Sequence, residues 1–218
     1  MIKTNQVPEE KKQFYPDGTL KDLSFIKDGK VEGEYISYFP NGQIMAQLHF
    51  AGGKKNGAAV TYYQSGQTRE KANFVNDNLE GQYVSYYENG KIREEENYKD
   101  GKLDGLYRFY FNTGQIKEEE NFVGGEFEGE YISYYSTGQI KEKGAFQKDK
   151  RTGEYIAYFQ NGEIEEKAAY KNGILVGKFC TFEAQFEDNA EGNSEDWEEK
   201  DIAGLLQDLS DYDKKKPQ

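Results

Sequence analysis

The sequence predicts a mainly β chain: an elongated, single-layer antiparallel β-sheet array of 24-residue hairpin repeats, with a C-terminal α-helix. Three observations carry that expectation. Glycines recur at Gly18, Gly42, Gly66, Gly90, Gly114, Gly138 and Gly162, and again at Gly33, Gly57, Gly81, Gly105, Gly129, Gly153 and Gly177. Aromatic columns keep the same interval, as in Phe14, Tyr38, Tyr62, Tyr86, Tyr110, Tyr134 and Tyr158, and in Phe50, Phe74, Tyr98, Phe122, Phe146 and Tyr170. The interval also holds without insertion, which is the mark of an array whose units pack on their neighbours.

Composition sets the kind of core. Hydrophobic residues make up 35% of the chain and charged ones 31%, with a net charge of -12, figures that alone lean toward disorder. Against that stand 18 Tyr and 14 Phe, held in register rather than scattered. Each can bury about 150–250 Å², so the expected core is thin and aromatic. The single cysteine, Cys180, excludes an internal disulfide and fits a reducing compartment. The first residues contain no apolar stretch of the secretory kind, and no run approaches the ~20 apolar residues of a membrane span. A cytoplasmic location is therefore expected. An acidic chain is a poor match for nucleic acid or for an anionic membrane, and it suits a basic protein.

Residues 1–13 are polar and read as a flexible lead-in. The array then spans 14–186, as seven units of 24 residues and a terminal strand. Each unit has two strand signals, an alternating aromatic run such as Glu34–Phe39 and a second run such as Lys91–Tyr98. Between them sit dipeptides such as Asn41-Gly42, Asp17-Gly18, Ser65-Gly66 and Thr113-Gly114, which supply the positive φ of a tight hairpin turn. A longer link, Lys99 to Gly105, returns the chain to the next hairpin. After the array come an acidic linker at 187–196, an amphipathic helix at 197–212 and a basic tail at 213–218. Ile202, Leu205, Leu206 and Leu209 follow helical spacing, and Asp196 with Glu199 resembles a capping box. Such a helix either caps the sheet or, through Trp197, forms a partner-binding element.

The column pattern G-x-Y-x-S-Y-Y-x-N-G-x-I-K-E-E-x-x-F resembles the bacterial variant of the MORN repeat (membrane occupation and recognition nexus). Gly81–Tyr98, Gly105–Phe122 and Gly129–Phe146 carry it most closely. Arrays of this variant occur in YwqK-family antitoxins, the immunity partners of secreted or polymorphic toxins. The resemblance thus implies a toxin-neutralising role, and the acidity of the chain suits a basic toxin as the partner.

The residues themselves point to binding rather than catalysis. His49 is the only histidine and takes a column filled elsewhere by Asn or Ala, so it is expected at the surface. Cys180 replaces Val or Ile in a strand column and reads as a small apolar filler. No metal, cofactor or nucleophile motif occurs; no catalytic residue, metal or cofactor is assigned. Carboxylates recur in every unit, whereas an active site should stand out once.

A basic column (Lys21, Arg69, Arg93, Lys117, Lys141) precedes an acidic one (Asp22, Glu70, Glu94, Glu118, Glu142, Glu166). Strand alternation places the two on opposite faces, with Glu96 and Glu120 joining the acidic side beside Ile92, Tyr98 and Phe122. That face is either solvated and paired with neighbouring lysines or turned to a basic protein. Departures from the repeat occur at Ala58 and Ala59, and at Leu106, Arg108 and Phe109; aromatic and Arg side chains together at one exposed place are common interface anchors. The expected partner-binding residues are Glu94, Glu96, Glu118, Glu120, Glu142, Arg108, Phe109, Tyr86, Tyr110 and Trp197. The expectation is a non-enzymatic protein-binding repeat protein, an antitoxin or immunity protein that acts as a monomer or in a hetero-complex. A scaffold or self-assembling module is the alternative.

Overall fold

A computed structural model of the chain describes residues 7–180, the side chains of Phe179 and Cys180 excepted. The linker, helix and tail expected over 187–218, Trp197 among them, lie outside the described residues. The chain divides into two compact units, Met1–Glu126 and Phe127–Gln218.

Unit 1 runs β1 (Glu9–Phe14), β2 (Leu20–Lys27), β3 (Lys30–Tyr38), β4 (Ile44–Ala51), β5 (Lys54–Tyr62), β6 (Thr68–Val75), β7 (Asn78–Leu79), β8 (Gly81–Tyr86), β9 (Ile92–Lys99), β10 (Lys102–Leu103), β11 (Gly105–Tyr110) and β12 (Ile116–Val123). The short β13 (Glu126–Phe127) straddles the boundary. Unit 2 holds β14 (Gly129–Tyr134), β15 (Ile140–Gln147), β16 (Lys150–Tyr158), β17 (Ile164–Lys171) and β18 (Ile174–Cys180). Within each unit the chain is an antiparallel meander in which successive strands pair. The mainly β, antiparallel repeat fold is thus as the sequence predicts.

The expected lead-in is not loose throughout: Glu9–Phe14 is a strand that pairs with β2, Gln13 opposite Asp22. It occupies the repeat position of an aromatic strand, but its residues are charged and its pattern is exposed along its whole length. Lys11 and Lys12 on such an edge discourage further strand addition.

The two ends of each hairpin use different turns. At the Asn-Gly end, Tyr87 N–H donates to the Lys91 carbonyl at 2.8 Å and Gly90 N–H to the Tyr87 carbonyl at 2.9 Å, enclosing three residues. Of these only Gly90 has positive φ, at 82°, which makes a type I turn closed by a left-handed glycine. Asn89 contributes differently, its Oδ1 accepting from Lys91 N–H at 3.0 Å. Asp17, Asn41 and Asn161 do the same for Thr19, Gln43 and Glu163, which explains the Asn/Asp preference in that column. The return link is the turn with positive φ at both positions, Asp100 at 51° and Gly101 at 77°. It is a two-residue hairpin between the paired Lys99 and Lys102.

A bulge recurs in every repeat. Ser85 lies opposite Glu94, but Tyr86 lies opposite Ile92, so Arg93 has no cross-strand partner. The same skip occurs at Thr61/Tyr62, Phe109/Tyr110 and Ser133/Tyr134. An extra residue breaks strict alternation, and this overturns the expected separation of basic and acidic columns. The Arg93 guanidinium comes within 3.6 Å of Glu94, Arg69 within 3.2 Å of Glu70 and Lys117 within 3.4 Å of Glu118.

The core is thin. Ala59, Val84, Ile156, Ala168 and Ala169 are its buried apolar residues, and no large side chain among the described residues is fully buried. Half-buried rings pack around it in edge-on pairs, such as Tyr35–Phe50 at 5.9 Å and Tyr155–Tyr170 at 6.2 Å.

Candidate functional site

Four of the five carboxylates singled out in the sequence, Glu94, Glu96, Glu118 and Glu120, share one face of unit 1, while Glu142 lies in unit 2. Tyr83 lies opposite Glu96 and Tyr107 opposite Glu120, while Phe109 lies opposite both Glu94 and Glu118. The sequence reading missed the tyrosines that frame this face. Tyr83 meets Tyr98 edge-on at 6.3 Å, and Tyr107 meets Phe122 at 6.2 Å and 81°.

Its electrostatics are uneven. Glu94 accepts from Ser85 Oγ at 2.8 Å and has Arg93 nearby, and Glu118 has Lys117. Neither Glu96 nor Glu120 has a cation within ion-pair distance among the described residues. Burial raises the Glu96 carboxyl, Glu94 adds to the rise, and a hydrogen bond with Tyr98 partly offsets it. Burial also raises Glu120, helped by Glu118. Tyr83 is pushed up to about 12 by burial and then by Glu70, Glu94 and Glu96. Tyr107 is raised by burial and by all four carboxylates, Glu94, Glu96, Glu120 and Glu118.

The column occupied by Glu96 and Glu120 reads Ser24, Leu48, Ala72, Glu96, Glu120, Gly144, Ala168 along the chain. The half-buried carboxylates are therefore a local exception to the repeat. That column was the available signal for the site.

Unit 2 shows the same framework in another state. Glu142 accepts from Tyr131 at 2.9 Å, Ser133 at 3.2 Å and Tyr155 at 2.5 Å. Burial would raise its carboxyl, but the three hydroxyls together hold it below the usual carboxylate range. Arg151 lies over Tyr155 at 4.8 Å and also faces Tyr170 at 5.5 Å and Phe146 at 5.9 Å.

The structure does not gather the remaining predicted residues here. Arg108 and Phe109 are adjacent on a regular stretch of β11 and point to opposite faces, so they form no joint anchor. Phe109 stays on the acidic face, under Lys117 at 4.9 Å and Arg93 at 6.0 Å. Arg108 donates Nε–H to Glu119 at 2.8 Å on the other face, where Tyr110 donates to Glu95 at 2.5 Å. Tyr86 lies there too, under Lys71 at 5.7 Å. His49 is exposed, as expected. Among the described residues no group of three or more His, Cys, Asp or Glu is placed to hold a metal ion. What the acidic face offers chemically is negative charge beside aromatic rings, the surroundings of an organic cation.

Six stretches match the family model for the MORN repeat variant: 31–51, 55–76, 79–100, 103–123, 127–148 and 151–172. Together they cover more than half of the chain, each beginning 24 residues after the last. The chain belongs to the MORN repeat variant family. As a member it is a repeat protein of the kind suited to binding proteins or other ligands. No curated protein matches the MORN-variant chain. Among solved structures that match it is a protein of unknown function from Bacteroides fragilis, 9% identical, with 81% of this chain and 94% of that chain covered. Its TM-score is 0.14.

Proposed function

We propose that this MORN-variant protein is a non-enzymatic binding protein, an antitoxin or immunity protein that neutralises a basic toxin by covering it with the acidic, tyrosine-framed face of unit 1. The reading also takes the protein to be cytoplasmic, in a hetero-complex with its partner. The observation that supports it most is the run of Glu94, Glu96, Glu118 and Glu120 around Tyr107, with the last carboxylate of each pair half-buried and lacking a cation. Burying like charge without compensation costs stability, so its presence is most simply explained by use. Complementary charge speeds and orients such an encounter. Its action is steric and electrostatic, with no bond made or broken.

The test is capture of the partner from the native cell, followed by expression of the captured protein alone and with this chain. A single stoichiometric basic protein, lethal alone and harmless in co-expression, supports the reading. Recovery of only this chain, or of a large assembly, replaces it with a scaffold.

A further inference from the structure

The residue five places after the aromatic that ends each second strand changes character along the array: Lys55, Leu79, Leu103, Phe127, Arg151, Leu175, with Val31 opposite Ile26 at the head of the column. Where it is cationic it lies over a ring. Lys55 Nζ is 4.9 Å from the Phe74 ring, and Arg151 is stacked in its box of three aromatics. In unit 2 that box is Phe146, Tyr155 and Tyr170, with Glu142 bonded to Tyr155 and with Gly144 and Ala168 alongside.

Two periods earlier the three ring positions are again aromatic, Tyr98, Tyr107 and Phe122, with Tyr107 meeting Phe122 edge-on, and Glu94 takes the place of Glu142. Two things are different. Leu103 stands opposite Tyr98 where Arg151 stands opposite Phe146. Glu96 and Glu120 stand where Gly144 and Ala168 leave no charge. The internal cation has been lost and two carboxylates have been gained, and the change in both columns runs in the same direction. A leucine ends at its methyls, whereas an arginine continues to the guanidinium that would cover the ring.

We infer that the Tyr107 box of unit 1 receives an arginine side chain of the partner protein, its guanidinium lying over Tyr107 and against Glu96 and Glu120, as Arg151 lies over Tyr155 in unit 2. This rests on the proposal that the face meets a basic protein, and it names the contact made there. Guanidinium suits the box better than ammonium, because it is planar, weakly hydrated and able to stack while donating to two carboxylates.

The experiment uses the full chain, labelled for NMR at tyrosine rings and glutamate carboxyls, titrated with N-acetyl-arginine amide, its lysine counterpart and its norleucine counterpart. Saturable shifts at Tyr107, Glu96 and Glu120 are expected, with arginine bound about threefold more tightly than lysine and norleucine not at all. Leu103→Arg supplies the guanidinium in cis and is expected to abolish the response. Glu96→Gln with Glu120→Gln gives an independent loss if that variant folds poorly. Shifts that do not saturate, that norleucine reproduces, or that survive Leu103→Arg overturn the inference. A captured partner that Leu103→Arg still binds undiminished overturns it too and leaves the function reading in place. No partner at all, with a saturable arginine response, fails the function reading alone.

Discussion

The Tyr87 hydroxyl donates to the carbonyl oxygen of Tyr110, 23 residues further along, at 2.6 Å. Tyr15, Tyr63 and Tyr135 make the same bond to Tyr38, Tyr86 and Tyr158, at 2.8, 2.6 and 2.7 Å. Each one ties the turn of one repeat to the strand end of the next. Phe39, Phe111 and Phe159 occupy the same column, so the ring fits without its hydroxyl. Tyr87→Phe should therefore keep the packing and lose one half-buried hydrogen bond, about 1 kcal/mol. Denaturant unfolding should show a lower midpoint at unchanged slope. No change would mean that water replaces the bond at no cost.

Acidity should act oppositely on the carboxylates of the two units. Burial raises Glu96 and Glu120 above their unfolded values. Their stabilising contribution is therefore complete below the ordinary carboxylate range and is lost as pH rises through their folded values. Glu142 is depressed by Tyr155, Tyr131 and Ser133, which outweigh its burial; its contribution is present above the ordinary range and is lost as pH falls through its folded value. Replacing Glu96 and Glu120 by Gln should stabilise the protein near neutrality by roughly 0.5 kcal/mol, the scale of a like-charge contact on a sheet. That gain should fade toward pH ~4. Glu142→Gln should cost about 1 kcal/mol near neutrality, and that cost should fade in acid. Unfolding midpoints measured across pH for both variants check the two signs.

Lys148 has a φ of 50°, and in other repeats its turn position is held by Asp28, Gly52, Asn76, Asp100, Gly124 and Asn172. A left-handed backbone costs an ordinary side chain about 1–2 kcal/mol, and Asn tolerates it best among residues with a Cβ. Its N–H already donates to Glu128 at 2.9 Å, a bond that Asn would keep. Lys148→Asn should raise stability by on the order of 0.5–1 kcal/mol. An unchanged or lower melting temperature would show that Lys148 makes a compensating contact.

Much of this fold was legible because its glycines and aromatics repeat without insertion, and a hairpin array follows from that spacing. The bulge was not, because nothing in Lys91-Ile92-Arg93-Glu94 marks where the ladder skips a residue. Strict alternation therefore sent Arg93 to the wrong face. Turn type was misread for a related reason: Asn89 is chosen for its side-chain bond to Lys91 N–H, while the left-handed pair is Asp100-Gly101. The site was half legible. Glu94, Glu96, Glu118 and Glu120 were placed together correctly, but Tyr83 and Tyr107 were read only as repeat positions. Arg108 and Phe109, taken as one anchor, are divided by the same alternation that groups the carboxylates. The departure at Ala59 has a local cause: it faces Leu48, the large residue of a column that is otherwise small or acidic.

Two glycines of neighbouring repeats test the backbone argument against the packing one. Gly105 has a φ of 116°, where an added Cβ is strained even though its nearest neighbour, Asn97 Cβ, is 3.5 Å away. Gly144 has an ordinary strand conformation, and a Cβ there would touch the Tyr155 ring at 3.4 Å, ordinary contact. Its column carries Ala72 and Ala168, the latter fully buried. Gly105→Ala should cost about 1–3 kcal/mol through strain alone. Gly144→Ala should stabilise by roughly 0.5 kcal/mol by narrowing the unfolded ensemble. Paired thermal melts decide the matter. If both changes destabilise alike, crowding rather than backbone geometry keeps the glycines in place, and Tyr155 has no room to give.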